Sequence, residues 1–348
     1  MRLEKAARYT AILILVIGIL ASRQPVMGID LPAVIHPHHS YIEQALPAAT
    51  PRPLLERHMQ DVDGLFGIDD IIFQLEQEAA SPPVALTELD IDRLRDFEYL
   101  RTQFYTADRN TRLLPGDVDV DAFMRMDLTI DTSSVPGPRV LIFHVHSTEM
   151  FADSDPYNPM DGVMGLGAAL AEILEREYGI PTMHDMTRHD IVDGRSQIMG
   201  AYERMEPYIR QILRDNPTIE VVIDLHRDGL PDGAPPLISY IDGQRVARIM
   251  FVNGLSRRYN SDGSLDDIPW LFNPYLRENL AFSFQLQLAS NRMYPGFARR
   301  VFLGSFRYSL HLMPRTTLLE VGAQNNTMEE AHNAIPHIAR VIADVVLR

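Results

Sequence analysis

Short apolar runs alternate with amphipathic stretches along the second half of this chain. The runs RVLIFHVH and IEVVIDLH, which end at His146 and His226, are apolar almost throughout, as the central strands of a parallel sheet are. The run TTLLEVG, which ends at Gly322, has the same character. Because stretches with helical periodicity separate these runs, the pattern predicts an α/β domain with a mostly parallel central sheet and helices on both of its faces.

Start and stop signals place further elements of this domain. We expect a helix that begins at the cap residue Asp161 and ends at Gly179, and a capping box of Thr327 and Glu330 at the start of the last helix. The other predicted elements are strands at 180–185, 245–254 and 299–305, the last of them an edge strand, and helices at 197–215 and 273–292.

The N-terminal quarter of the chain has a different pattern. Arg2, Lys5 and Arg8 precede the apolar run YTAILILVIGILAS, which is typical of an export signal. We expect residues 1–22 to be an uncleaved signal anchor with the rest of the chain outside the cytoplasmic membrane. The alternative is a cleaved signal peptide and a secreted protein. Residues 23–88 are interrupted by prolines and predict a stalk, residues 89–135 an N-terminal extension packed on the main domain, and residues 136–348 the main domain itself.

Charge and composition remove several classes of function. The formal net charge is -15, and no block of lysine and arginine is long enough to follow a phosphate backbone, so we expect no nucleic-acid partner. The chain has no cysteine, which excludes a thiolate nucleophile, a disulfide framework and a cysteine-ligated zinc site. Any metal must therefore be held by histidine, aspartate or glutamate.

Candidate metal ligands follow the apolar runs. In a parallel sheet, ligands bind beyond the carboxyl ends of the strands. Strand alternation places His144 and His146 on the same side, Glu149 follows His146 three residues later, and His226 ends another strand. Two histidine nitrogens and one carboxylate oxygen form the ligand pattern of a catalytic zinc site with a fourth position left for water. Zinc fits this set better than magnesium or calcium, which prefer oxygen ligands.

Glu320 is the candidate for proton transfer. It ends the last apolar run, where partial desolvation raises a carboxyl pKa toward the range useful for a general base. Each candidate has a simpler interpretation: His144 as a residue that holds a ligand in place, Glu320 as an ion-pair partner of Arg315, and Asp224 to Asp228 as a charged strand end. The coincidence of three such strand ends favours a zinc-dependent hydrolase.

Six segments resemble a known family, the stage II sporulation protein P amidases of endospore-forming bacteria. They run from Phe104 to the C-terminus and are FYTADRNTRLLPGDVDVDAFMRMDL, VLIFHVHSTEMF, VVIDLHRDG, RIMFVNG, YPGFARRVF and LLEVGAQNNTMEEA. The resemblance implies a zinc-dependent enzyme that cleaves the amide between N-acetylmuramic acid and L-alanine of peptidoglycan and also cuts peptide cross-links. It further implies action during engulfment, with a lytic transglycosylase and a membrane protein as partners.

Carried over by residue, the resemblance implies metal ligands at His146, Glu149 and His226 and a catalytic carboxylate at Glu320. The first histidine ligand is either His146 or His144, and the H-x-x-E spacing favours His146.

Two arginines are candidates for substrate binding, and two other function classes remain open. Arg227 and Arg299 are expected to bind the stem-peptide carboxylates through bidentate pairing, with an ordinary surface ion pair as the alternative for each. A zinc carboxypeptidase or amidohydrolase remains open, because H-x-x-E followed by a distant histidine occurs there too. A non-catalytic wall-binding module is the alternative from a different class.

Overall fold

The computed structural model describes residues 91–132, 135–231 and 233–347. The helices in these ranges are α1 Ile91–Leu94, α2 Phe97–Gln103, α3 Val120–Arg125, α4 Val163–Tyr178, α5 Ala201–Asp215, α6 Leu276–Met293 and α7 Met328–Val346. The strands are β1 Tyr105–Ala107, β2 Val140–Phe143, β3 Thr182–His184, β4 Ile191–Val192, β5 Arg195–Ser196, β6 Val221–Asp228, β7 Ile238–Ile241, β8 Gln244–Ala247, β9 Ile249–Gly254, β10 Arg257–Tyr259, β11 Leu265–Asp267, β12 Val301–Gly304 and β13 Thr316–Ala323.

A seven-stranded sheet forms the centre of this region, with the strand order β1-β12-β9-β13-β6-β2-β3. Strands β13, β6, β2 and β3 are parallel to one another, and so are β9, β12 and β1. The two groups meet at the antiparallel pair β13 and β9. The prediction of an α/β fold with a mostly parallel sheet is therefore confirmed.

Helices cover both faces of this sheet, as the apolar runs predicted. Val140 and Ile142 of β2 pack into the large core with α4, α6 and α7. The alternate residues, Leu141 and Phe143, pack on the other face against α5. A strand that is apolar at every position can only be buried in this way, between two layers of helices.

The carboxyl ends of the parallel strands β2, β6 and β13 lie side by side and form the carboxyl edge of the sheet. His226 of β6 and Glu320 of β13 are direct partners in the register of the two parallel strands. Since Val222 of β6 packs with α5 and residues alternate along a strand, His226 also projects to the α5 face. Three polar strand ends thus meet on one face of the sheet.

Two strand predictions were wrong. The predicted strand 245–254 is two strands that divide at residue 248, because β8 pairs with β7 in a separate two-stranded sheet whereas β9 belongs to the central sheet. The predicted edge strand 299–305 is an interior strand, since β12 lies between β9 and β1. The edge on this side of the sheet is the three-residue strand β1, which is too short to be recognised from its own pattern.

Helix boundaries agree with the sequence signals in part. The left-handed end of α4 at Gly179, with φ of 64°, and the capping box of Thr327 and Glu330 are confirmed. Asp161 does not cap α4: the cap is Gly162, and the Asp161 carboxylate instead accepts the N–H of Asp155 at 2.6 Å. Helix α5 begins at residue 201, later than predicted, because Gly200 has a left-handed conformation with φ of 75°, which a right-handed helix cannot include.

The predicted signal anchor (1–22) and stalk (23–88) lie outside the described residues. Within the ranges that are described, no helix is both long and apolar enough to cross a membrane.

Candidate metal centre

Three side chains from two strand ends converge beyond the sheet edge. Potential ligand atoms of His146, Glu149 and His226 all lie within 4.8 Å of one another. Glu149 Oε1 is 3.5 Å from Nδ1 of His146 and 3.4 Å from Nδ1 of His226, and the two imidazole rings are nearly perpendicular, with centroids 5.1 Å apart. Two nitrogens and one carboxylate oxygen form a donor set that zinc accepts. The structure thus brings together the three residues that the sequence suggested as ligands.

Asp224 sets the orientation of the His226 ring. This fully buried carboxylate accepts the Nε2 proton of His226 at 2.6 Å, which leaves Nδ1 as the nitrogen directed at Glu149. A carboxylate behind a histidine is the usual support of a metal-binding imidazole. Burial opposes a charge on His226, but Asp224 and Glu149 outweigh it and raise the pKa well above its ordinary value. The negative field that favours a proton here also favours a metal cation.

Glu149 is held as an anion. Burial raises the pKa of this carboxyl, but the nearby His226 and His146 outweigh that effect and hold the pKa well below its usual range. Its Oε2 also accepts the backbone N–H of Arg227 at 2.9 Å. The carboxylate is therefore ionised and fixed in place at neutral pH, as a metal ligand must be.

His144 lies outside this group, and the prediction that it shares a side with His146 is wrong. Strand β2 ends at Phe143, so the alternation of side chains does not continue to residue 146. His144 is buried toward α4, where Nδ1 contacts the carbonyl oxygen of Leu225 at 2.7 Å and Nε2 contacts Nε2 of His184 at 2.9 Å. Burial and the neighbouring His184 lower the pKa of His144 to about 4. Both ring nitrogens are engaged within the protein, which favours His146 as the ligand.

Glu320 lies next to the three candidate ligands on the neighbouring strand. Burial, the carboxylate of Asp228 and that of Glu149 raise the pKa of Glu320 well above its usual value, although His226 and Arg299 oppose this shift. A carboxyl with a raised pKa is suited to accept and return a proton. The alternative pairing with Arg315 is wrong, because Arg315 binds Glu220 at 3.2 Å.

The two candidate substrate-binding arginines are bound to protein groups. Arg227 donates from Nε to the carbonyl of Met150 at 2.8 Å and from Nη1 to the carbonyl of Asp228 at 3.1 Å. Arg299 is only 1 % exposed and pairs through Nη1 with the Asp228 carboxylate at 2.5 Å. Their predicted contact with stem-peptide carboxylates stays a prediction.

Tyr202 is a part of this site that sequence reasoning did not select. Its ring, in the first turn of α5, meets the His146 ring edge-on with centroids 5.7 Å apart. Burial raises the pKa of Tyr202 well above its ordinary value, with Asp224, Tyr308 and Glu320 adding to the effect, so its hydroxyl keeps its proton. A tyrosine at the start of a helix carries no signal in a single sequence that separates it from ordinary packing.

The fold and this group of side chains define an α/β protein with a candidate three-ligand metal centre at the carboxyl edge of its sheet. The chain belongs to the Stage II sporulation protein P (SpoIIP) family, whose family model matches residues 102–343.

Individual similarities are weaker than the family match. The chain is 23% identical over 220 residues to the Stage II sporulation protein P of Bacillus subtilis (strain 168), a match that covers 59% of this chain and 50% of that protein. Among solved structures, it is similar to N-acetylmuramoyl-L-alanine amidase AmiC2 of Nostoc punctiforme (13% identity, 62% of this chain and 97% of that chain, TM-score 0.35). It is also similar to an N-acetylmuramoyl-L-alanine amidase from Clostridium difficile 630 (14% identity, 61% and 96% covered, TM-score 0.36).

Proposed function

We propose that this protein is a zinc-dependent peptidoglycan hydrolase of sporulation that cleaves the amide between N-acetylmuramic acid and L-alanine. One observation carries the proposal: His146, Glu149 and His226 present ligand atoms within 4.8 Å of one another, and Glu320 is the register partner of His226. Membership of the SpoIIP family supports the sporulation context and the cell wall as the place of action.

Each residue of the candidate metal centre has a separate role in amide hydrolysis. Zinc, when held by His146, Glu149 and His226, supplies Lewis-acid chemistry for an amide carbonyl and for water. Glu320 takes the proton of the attacking water and returns it to the leaving amine, a task for which its raised pKa suits it. The protonated hydroxyl of Tyr202 is the donor for the negative charge that develops on the carbonyl oxygen.

The proposal predicts a separation of metal binding from activity in Glu320→Gln. The variant keeps the shape of the side chain and one zinc per protein, but it cannot accept a proton, so we expect release of stem peptides from purified peptidoglycan to fall by about 10²–10⁴-fold. Released fragments are identified by mass spectrometry, and zinc by elemental analysis. Glu329→Gln, an exposed change in the first turn of α7, is the matched control. Undiminished release by Glu320→Gln would contradict the assignment.

The same digest separates the competing functions. Free stem peptides that begin with L-alanine, together with intact glycan strands, support the amidase. Loss of one terminal residue indicates a carboxypeptidase, and cuts confined to cross-links indicate an endopeptidase. Wall binding without any released product would leave the non-catalytic module.

We also propose that the protein acts outside the cytoplasmic membrane on a signal anchor, together with a lytic transglycosylase and a membrane protein. The support is the basic and apolar pattern of residues 1–22 and the family itself. Cell fractionation with alkaline extraction tests the location, because an anchored chain stays in the membrane pellet and a secreted one does not.

A further inference from the structure

The carboxylate of Asp190, which is distant in the chain, binds the two residues between the candidate ligands His146 and Glu149. Its hydrogen bonds to Ser147 and Thr148 form a clamp on the turn that these two residues make. Asp190 Oδ1 accepts the hydroxyl of Ser147 at 2.5 Å. Asp190 Oδ2 accepts both the backbone N–H of Thr148 at 2.9 Å and its hydroxyl at 2.6 Å. Asp190 and Ser147 are both fully buried, so the bond between them is shielded from water, whereas Thr148 is half-buried.

The loop that carries Asp190 is itself held to helix α5. Arg204 donates from Nε to the carbonyl of His189 at 2.6 Å and from Nη1 to that of Met199 at 3.0 Å. The carbonyl of Asp190 accepts the N–H of Gln197 at 2.7 Å, which closes the loop on itself. The clamp is therefore anchored to a helix and is not part of a free loop.

These bonds determine how far His146 and Glu149 are from one another. Both side chains leave the same short turn, and their ligand atoms converge only while Ser147 and Thr148 keep their present backbone conformation. Without Asp190, three donors would lose their acceptor, and the fully buried hydroxyl of Ser147 alone would cost about 1–3 kcal/mol if it were left unsatisfied, so the turn would rearrange. Asp190 touches none of the ligand atoms and acts through the turn alone.

We propose that Asp190 is a positioning residue of the metal centre: it locks the turn at Ser147 and Thr148 so that His146 and Glu149 are arranged for a divalent cation before the cation arrives. The inference rests on the proposed function, because it takes these residues as ligands. Preformed ligands make binding tighter, since no ordering of the turn has to accompany it.

The test is zinc affinity, measured on the full chain by competition with a chromophoric chelator. Asp190→Asn retains the volume of the side chain, but it removes the negative charge from all three hydrogen bonds and replaces one acceptor by an NH₂ donor. With the NH₂ group toward Thr148, two donors face each other, and with the NH₂ group toward Ser147, the hydroxyl of Ser147 can accept but its own proton loses its acceptor. We expect the zinc Kd to rise by about 10–100-fold, the usual effect of removing such support. The absorption spectrum of bound Co²⁺ should change as well, because the ligand geometry is altered.

Asp185→Asn is the matched control on the same loop. The Asp185 carboxylate accepts the hydroxyl of Thr187 at 2.9 Å and lies 3.8 Å from Nε2 of His189, so its side-chain contacts stay within the loop. We expect less than about a twofold change in zinc Kd for this variant. A merely structural role of the loop would weaken zinc binding equally in both variants, which would overturn the proposal.

A second variant keeps the proposal testable if Asp190→Asn does not fold. Thr148→Val removes one hydroxyl at nearly constant volume, and we expect about a three- to tenfold rise in zinc Kd from this one lost bond to a charged acceptor. Unchanged Kd in both folded variants overturns the role of Asp190 and leaves the metal site intact. Absence of zinc binding by the unaltered protein overturns the metal site, and this inference with it.

Discussion

His144 and His146 are two residues apart in the chain, yet they face different layers of the molecule. His144 directs both ring nitrogens into buried contacts with Leu225 and His184, whereas Nδ1 of His146 is 3.5 Å from Glu149 Oε1. The cause is the end of β2 at Phe143, after which the backbone turns. One imidazole therefore contacts the neighbouring strands, and the other lies beside the candidate ligand Glu149.

This difference predicts opposite effects for substitutions of the two histidines. His146→Ala should lose stoichiometric zinc, because two ligands seldom hold the metal at a catalytic site. His144→Gln should still bind one zinc per protein, but we expect it to lower the free energy of unfolding by about 1–3 kcal/mol, since buried hydrogen bonds are disturbed. Elemental analysis and thermal unfolding measure the two outcomes. Loss of zinc only in His144→Gln would reverse the assignment.

At the residue scale, the sequence predicted the candidate ligands and missed what supports them. An apolar run that ends in His and Glu is visible in one sequence. Asp224 and Asp190 look like any charged residue near a strand end or in a loop. Only the fold shows that Asp224 accepts hydrogen bonds from His226 and from the N–H of Val145, and that Asp190 accepts them from Thr148. Support of this kind depends on contacts between distant segments, which leave no local pattern.

At the scale of elements, helix α4 is in close contact with the buried pair His144 and His184 at Gly167. A Cβ atom added at Gly167 would lie 2.6 Å from Nε2 of His144 and 2.7 Å from Nε2 of His184. Neither ring can move aside without breaking its contact with the other. The glycine thus sets how closely α4 approaches β2 and β3.

We therefore expect Gly167→Ala to destabilise the protein although alanine favours helix. The gain in helix propensity is about 1 kcal/mol, whereas overpacking a buried site costs about 1–3 kcal/mol, and here it also disturbs a buried hydrogen-bonded pair. Chemical denaturation measures the net loss. Ala168→Gly, at the adjacent and less buried position of α4, reports the propensity effect alone. A stabilised Gly167→Ala variant would show that the histidine pair adjusts freely.

Strand direction is the element-level feature that the sequence did not reveal. The buried strands β2, β6 and β13 were predicted from their apolar runs, but β9 is equally apolar and runs antiparallel to β13. Burial on both faces produces the same residue pattern in either direction. Pairing is decided by the connections between strands, and here the hairpin of β7 and β8 lies between β6 and β9 in the chain.

At the scale of the whole described region, the segment before the predicted main domain is part of the same fold. Strand β1 completes the central sheet, and the buried carboxylate of Asp108 accepts the N–H and the hydroxyl of Ser305 at 3.0 and 2.8 Å. Gln285 of α6 donates to the carbonyls of Phe123 and Met126 at 2.7 and 2.9 Å. These bonds join the segment to both the sheet and a central helix.

This integration predicts that a change in α3 weakens the whole described region. Phe123 is completely buried and meets Phe284 of α6 edge-on at 5.9 Å, so Phe123→Ala should lower the free energy of unfolding by about 3–5 kcal/mol. That is a large part of the roughly 5–15 kcal/mol that stabilises a typical domain. Met124→Ala, next in the same helix but 37% exposed, should change stability by less than about 0.5 kcal/mol.

The shape of the unfolding transition decides between one cooperative unit and two. If the segment and the sheet unfold together, Phe123→Ala shifts a single transition that is recorded identically by far-UV circular dichroism and by release of zinc. If the segment were a separate unit, the variant would lose helical signal early while zinc remained bound at the unaltered temperature. The shared core of Phe104, Tyr105, Phe123 and Phe284 predicts the first result, because removing one of these rings leaves a cavity inside the same core that supports β6 and β13.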